Sequence, residues 1–147
     1  MRKIKKLIIH CTDSQDSLDI GFKDINAWHK ERRFLSPSGV HCGYHYIVRR
    51  NGAIERGRPD SEQGAHCSGQ NKDSLGIVWV GRNRIDDKQL QTLEKLIRYL
   101  IDHYDIDYTE VYGHNFFNSQ KTCPNLDMNF IRLRALFNLG GINVDEI

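Results

Sequence analysis

The sequence lacks any long hydrophobic run. No apolar stretch approaches the roughly 18 residues that a helix needs to cross a membrane. The start, "MRKIKKLIIHCTD", has a basic opening like that of a signal peptide, but its apolar run is limited to Leu7, Ile8 and Ile9 before a His intervenes. We therefore expect no membrane span and no export signal.

The chain also lacks an excess of charge of either sign. Lys and Arg total 21 and Asp and Glu total 19, and the two signs are interspersed, so the charge does not imply a nucleic-acid partner. The sequence shows no internal repeat, linker or low-complexity tract. Its 147 residues are the size of one domain. We expect a single domain over residues 1–147, with its core at about 4–138 and a loose tail from Gly140.

The chain has four cysteines. Four thiols allow two disulfides, but the expected lack of export favours free thiols or metal ligands. Three of them, Cys11, Cys42 and Cys67, directly follow a His. Because neighbours in an extended segment point to opposite faces, each of these pairs presents only one member to any given site.

Strand and helix patterns alternate along the chain. Strand patterns occupy Ile4 to Cys11, the two arms of "GYHYIVRRNGAIERG" around the hairpin signal Asn51-Gly52, "LGIVWVG" and "TEVYG". Three segments have helix patterns. In "FKDINAWHKERRF", Ile25, Trp28 and Arg32 share a face, and a second segment begins at Asp86 or Asp87 and has periodic apolar residues from Leu90 to Tyr104. A last segment is capped by Asp127 and carries Phe130, Leu133 and Phe137. This order predicts an α/β fold, in which helices pack on the faces of a mixed β-sheet.

Three candidate metal ligands lie at or after strand ends. His10 lies at the end of the first strand, His114 directly follows "TEVYG", and Cys123 lies in the polar loop after it. If the two strand ends are neighbours, these side chains converge at the rim of the sheet, where α/β folds build their sites. Two imidazoles and a thiolate suit zinc, and a fourth position left to water is the mark of a catalytic site. The nine-residue spacing of the last two is not by itself a metal motif.

Four segments in sequence order carry a resemblance to a known family. "IIHCT", "GYHYIVRRNGAIERGRP", "GAHCSGQNKDSLGIVWVG" and "GHNFFNSQKTCPN" resemble the zinc-dependent N-acetylmuramoyl-L-alanine amidases of type 2, a family that includes phage amidase-lysozymes and animal peptidoglycan recognition proteins. The resemblance extends from about Ile8 to about Phe130. It implies a single α/β domain with a central mixed, mostly parallel β-sheet flanked by helices, one zinc ion per chain and bacterial peptidoglycan as the substrate.

The resemblance also implies roles for individual residues. The family's zinc ligands correspond to His10, His114 and Cys123, its catalytic residues to Tyr44 and Lys121, and positions along its substrate cleft to His66, with Asn71 and Arg58 as further candidates. One departure from the phage-type pattern is an extra residue between His114 and Cys123, which we place in "NFFNSQ". We expect His45 to be structural, and His29 and His103 to lie on the surface of helices.

Amide hydrolysis gives each of these residues a task. Zinc polarises the carbonyl and lowers the pKa of bound water from about 15.7 to about 7. Lys121 is expected to stabilise the negative charge that develops on the carbonyl oxygen, and Tyr44 to orient the water or exchange a proton with it.

Two other functions are compatible with the sequence. One is a peptidoglycan-binding module without catalysis, and the other is a hydrolase that uses a Cys-His pair. For the amidase we expect the role of a phage or prophage endolysin, made in the cytoplasm and acting on the cell wall after release through a membrane lesion.

Overall fold

The computed structural model describes residues 2–138, 140–143 and 147. In chain order its elements are β1 (Lys6–Cys11), α1 (Phe22–Glu31), β2 (Tyr46–Val48), β3 (Ile54–Arg56), β4 (Ser74–Trp79), α2 (Asp87–His103), β5 (Val111–Gly113), α3 (His114–Phe117) and α4 (Met128–Leu136), with 3-10 turns at Asn71–Asp73 and Tyr108–Glu110. Within these residues no helix combines the length and apolarity that a membrane crossing requires. The loose tail expected from Gly140 lies partly outside the described residues, and Ile142 packs against the main core.

One five-stranded sheet organises the fold, in the order β3-β2-β4-β1-β5. Strand β1 pairs in parallel with β4 and β5, β4 pairs in parallel with β2, and only the β2–β3 hairpin is antiparallel. This confirms the α/β fold with a mixed, mostly parallel sheet flanked by helices. Because Ile9 pairs with Gly113, His10 and His114 follow at adjacent strand ends.

The two faces of the sheet are covered differently. The apolar face packs against α2 and α4, and its main buried residues are Leu7, Ile9, Leu75, Ile77, Trp79, Leu93, Leu96, Ile97, Leu100, Ile131 and Ala135. The opposite face, here called the site face, packs against α1 through a smaller cluster of Ile25, Ile47, Val78 and Val80. Since side chains alternate along a strand, each central strand contributes to both faces.

The predicted helix faces are only partly correct. Helix α2 begins as predicted, with the Asp86 side chain accepting a hydrogen bond from the Lys88 N–H. In and directly after α4, however, Phe130, Leu133 and Phe137 are between 47% and 74% exposed. The helix packs on the apolar face through two residues four positions apart, Ile131 and Ala135, which turn the three larger side chains outward.

Candidate active site

A cavity of about 800 Å³ opens where β1 and β5 end. Seven of the eight candidate site residues line it, namely His10, Tyr44, His66, Asn71, His114, Lys121 and Cys123. Arg32 and Phe34 also line it, and no sequence pattern predicted a site role for either residue. In an open α/β sheet this is the expected place for a site, outside the carboxyl ends of parallel strands.

His10, His114 and Cys123 form the centre of this cavity. Their ligand atoms all lie within 4.8 Å of one another, and no other group of three or more His, Cys, Asp or Glu side chains in the described chain is gathered in this way. The strand register brings the two histidines together, since their strands are neighbours. A tetrahedral zinc ion keeps nitrogen and sulfur ligands roughly 3.3 to 3.6 Å apart. Small side-chain adjustments therefore suffice for these three residues to hold zinc.

Hydrogen bonds to the backbone hold the loop that carries Cys123. Its sulfur accepts the Cys11 N–H at 3.1 Å, and its carbonyl accepts the Asn115 N–H at 2.8 Å. The indole N–H of Trp79 donates to the carbonyl of Pro124, the next residue, at 2.9 Å. The loop is not wholly irregular, because His114 begins the single helical turn of α3.

The three candidate ligands are electrostatically tuned by burial. Burial lowers the pKa of His10 well below its ordinary value, and His114 and His29 lower that pKa further. Burial also lowers the pKa of His114, with a smaller effect from the charge of Lys121. Both imidazoles therefore favour the neutral form that binds metals. Contact with Cys11, followed by burial, raises the pKa of Cys123, and a metal ion beside the sulfur would favour its thiolate form.

Tyr44 and Lys121 border the candidate metal site without belonging to the ligand group. The ring of Tyr44 lies 5.0 Å from that of His10, and its hydroxyl makes no hydrogen bond to another described residue. Burial raises the pKa of that hydroxyl, which keeps it a neutral donor. Lys121 is exposed in the loop before Cys123, and its charge acts on His114.

His66 does not stand free in the cavity. It is only 8% exposed, and its Nδ1 lies 2.9 Å from Nε2 of His10 while its Nε2 lies 3.2 Å from the Ser74 hydroxyl. Both ring nitrogens therefore have partners within the chain, while the residue also lines the cavity, so its expected hydrogen bond to a muropeptide stays a prediction. The neighbouring Asn71 side chain accepts the backbone N–H groups of His66 and Cys67, both at 3.0 Å.

Two residues differ from expectation, Arg58 and His29. Arg58 is 3% exposed and donates to the carbonyls of Cys42 and Gln63, so it braces the backbone instead of lining the cleft. His29 was predicted to be a surface residue, which is wrong: it is buried, and its Nδ1 accepts the Gly43 N–H at 2.7 Å. Its ring lies 5.4 Å from that of Tyr44.

The other two histidine predictions agree with the structure. His45 is buried and structural, because one ring nitrogen accepts the Gly76 N–H and the other bonds the Glu62 carbonyl. His103 lies exposed on α2.

Comparison with known proteins gives consistent matches. A family model described as N-acetylmuramoyl-L-alanine amidase matches residues 1–126. The endolysin of Enterobacteria phage T3 is 32% identical over 132 residues, which cover 83% of this chain and 81% of the phage protein. The solved structure of the N-acetylmuramoyl-L-alanine amidase LysC from Clostridium intestinale matches with a TM-score of 0.79 at 27% identity, covering 93% of this chain and 88% of that one. Drosophila peptidoglycan recognition protein SD, at 18% identity and a TM-score of 0.69 over 84% of this chain and 76% of its own, shares the fold.

Proposed function

The chain belongs to the type 2 N-acetylmuramoyl-L-alanine amidase family, and we propose that it holds one zinc ion between His10, His114 and Cys123 and hydrolyses the amide bond between N-acetylmuramic acid and L-alanine in bacterial peptidoglycan. The gathering of those three ligand atoms within 4.8 Å in a large cavity is the observation that carries the proposal. The set of two nitrogens and one sulfur, with no fourth protein ligand in the group, is typical of catalytic zinc.

The proposed chemistry divides between the metal and the chain. Zinc, when bound, supplies a Lewis acid that polarises a carbonyl and acidifies water. Tyr44 faces this position with a neutral hydroxyl that has no competing partner among the described residues, so it is suited to orient the water and exchange a proton with it. Lys121 brings a flexible cation to the same rim, where it stabilises the charge that develops on the attacked oxygen.

The biological role that we propose is that of a phage or prophage endolysin. The endolysin of phage T3 matches over most of both chains, which supports this role. In this role the protein is made in the cytoplasm and reaches peptidoglycan through a membrane lesion made by another protein.

The proposal is tested by mass analysis of products from purified peptidoglycan, together with the zinc content of the protein. We expect about one zinc per chain, free stem peptides that begin with L-alanine, peptide-free glycan strands, and loss of cleavage on chelation. New reducing ends in the sugar chain would instead identify a glycosidase. Cleavage that survives without zinc would indicate a thiol hydrolase, and intact peptidoglycan would indicate a binding module.

A further inference from the structure

A chain of three hydrogen bonds leads from the candidate metal site through the start of β4 to the loop before it. His10 Nε2 lies 2.9 Å from His66 Nδ1, and His66 Nε2 lies 3.2 Å from the Ser74 hydroxyl oxygen. That hydroxyl donates to the Gln70 carbonyl at 2.7 Å. His10, His66 and Ser74 are all buried.

The direction of these bonds follows from the last acceptor. The Gln70 carbonyl has no proton to donate, so the single hydroxyl proton of Ser74 is used on it. The Ser74 oxygen must then accept from His66 Nε2, which therefore carries a proton. In a neutral imidazole this leaves Nδ1 of His66 as the acceptor, and the proton between the two rings belongs to His10 Nε2.

We propose that His66 is a positioning residue that fixes the tautomer and the orientation of the zinc ligand His10, with Ser74 as the group that orients His66. The proton on Nε2 of His10 leaves its Nδ1 lone pair for the metal. Metal-ligating histidines commonly donate their other N–H to an oriented acceptor, which raises ligand basicity and holds the ring. This inference rests on the proposed function, since it assigns a role towards zinc.

The packing around His66 favours a fixed ring. Gly76 lies beneath it on β4, and a Cβ built at that position would come within 2.6 Å of the imidazole. The Asn71 side chain fixes the backbone of His66. The ring is therefore held by a strand below, a hydrogen bond at each nitrogen and a braced backbone, which suits orienting a neighbour better than following a substrate.

The first test uses the metal-free protein and observes the tautomer directly. Nitrogen-15 NMR of the histidine rings, assigned with a His10→Ala variant, should show His10 with its proton on Nε2 and His66 likewise on Nε2. Ser74→Ala removes the acceptor at the far end and should make the His66 ring populate both tautomers. Finding the proton of His10 on Nδ1 in the wild-type protein would overturn the proposal.

The second test measures zinc affinity by chelator competition, together with the visible spectrum of the cobalt-substituted protein. His66→Leu should raise the zinc Kd about 10- to 100-fold and alter the cobalt spectrum. His66→Asn, whose side-chain oxygen offers an acceptor near the position of Nδ1, should recover part of the affinity. Ser74→Ala should weaken zinc in the same direction but less. Ser68→Ala is the serine control, because it removes an exposed hydroxyl from the loop that carries His66, and it should keep the wild-type affinity.

The outcomes separate this inference from the proposed function. If the wild-type protein neither binds zinc nor releases stem peptides, the proposed function fails. If it does both, while His66→Leu and Ser74→Ala keep the wild-type zinc Kd and cobalt spectrum, only the positioning role fails. A rise in KM for a soluble muropeptide at unchanged zinc affinity would assign His66 to substrate binding instead. Should His66→Leu not fold, Ser74→Ala and the tautomer measurement decide.

Discussion

Alternate residues of the same strands point to the two faces of the sheet, yet the side chains that pack on those faces differ in kind. The apolar face buries aliphatic side chains and Trp79 against α2 and α4. The site face buries four histidines, His10, His29, His45 and His66, each with a hydrogen-bonding partner on at least one ring nitrogen. A buried polar group is costly without a partner. The comparison therefore suggests that the apolar face supplies stability and the site face supplies chemistry.

The largest expected effect comes from substituting two neighbouring residues of β1 that point to opposite faces of the sheet. His10→Ala removes one of three proposed zinc ligands and should raise the zinc Kd by at least on the order of 10³-fold, with cleavage falling to background. Ile9→Ala removes an adjacent side chain from the apolar face and should lower the free energy of unfolding by about 2–5 kcal/mol while the folded protein still binds zinc. Zinc content and denaturant unfolding are measured on both variants.

Cys123→Ser should behave like His10→Ala, and Cys67→Ser is its matched thiol control, since Cys67 lines the same cavity outside the ligand group. If Ile9→Ala lost zinc while remaining folded, or if His10→Ala kept it, the division between the faces would not hold.

The second prediction concerns the site face alone and separates zinc binding from catalysis. Lys121→Ala should lower kcat on the order of 10²- to 10³-fold, and more than it raises KM, because the ammonium matters mainly once negative charge has developed. Tyr44→Phe should also lower kcat severely, since it removes only the hydroxyl. Zinc content should not change in either variant. Kinetics on a soluble muropeptide, beside metal analysis, check both results.

Lys121→Arg provides the control for charge alone. It keeps the cation but changes its reach and donor geometry, so it should restore only part of the activity. Full activity of zinc-loaded Lys121→Ala would identify Lys121 as a solvated surface cation and limit the role of its loop to supplying ligands.

The smallest of the three effects is the acid sensitivity of the site face. Burial lowers the pKa of both His29 and His45 from 6.5 to about 4. Because this folded-state pKa lies below the unfolded value, each contribution to the free energy of unfolding is complete above pH 6.5 and is lost as the pH falls towards 4. We expect a loss on the order of 2 kcal/mol per histidine, measured by denaturant unfolding across this range.

Two variants test whether the pH dependence of the free energy of unfolding comes from the site face. His29→Asn cannot become charged but offers an oxygen to the Gly43 N–H, so it should flatten the pH dependence. Ile97→Val, on the apolar face, should lower stability by about 0.5–1.5 kcal/mol at every pH without changing the slope. A slope that responded to Ile97→Val and not to His29→Asn would contradict the assignment.

The fold was largely predictable because its signals are local. The hairpin at Asn51-Gly52, the cap at Asp86 and the periodic apolar residues of α2 each act within a few residues of the chain. The last helix was less predictable, because Phe130 and Ile131 are both apolar and only the packed fold decides which one is buried. Apolar periodicity predicts that one side of the helix is buried, but where a helix has two rows of apolar residues it does not predict which row packs against the sheet.

Site residues at the ends of strands were predictable from the sequence, whereas those whose positions depend on hydrogen bonds to distant segments were not. His10 and His114 could be expected to meet because both follow from the ends of strands. The burial of His29 depends on an N–H at Gly43, fourteen residues away, that needs an acceptor. Its spacing of four residues from Ile25 was the available signal. The partnership of His66 with His10 and Ser74 joins three separate segments, and no local pattern predicts it.

The bond from Trp79 to the Pro124 carbonyl has an optical consequence. The chain has two tryptophans, and Trp28 is 41% exposed whereas Trp79 is fully buried. Indole in water emits at longer wavelength than indole in an apolar interior, so the short-wavelength part of the fluorescence belongs to Trp79. That indole is anchored on the apolar face and touches the residue after Cys123. The protein thus carries an intrinsic fluorophore whose emission reports on the order of the Cys123 loop, without any added label.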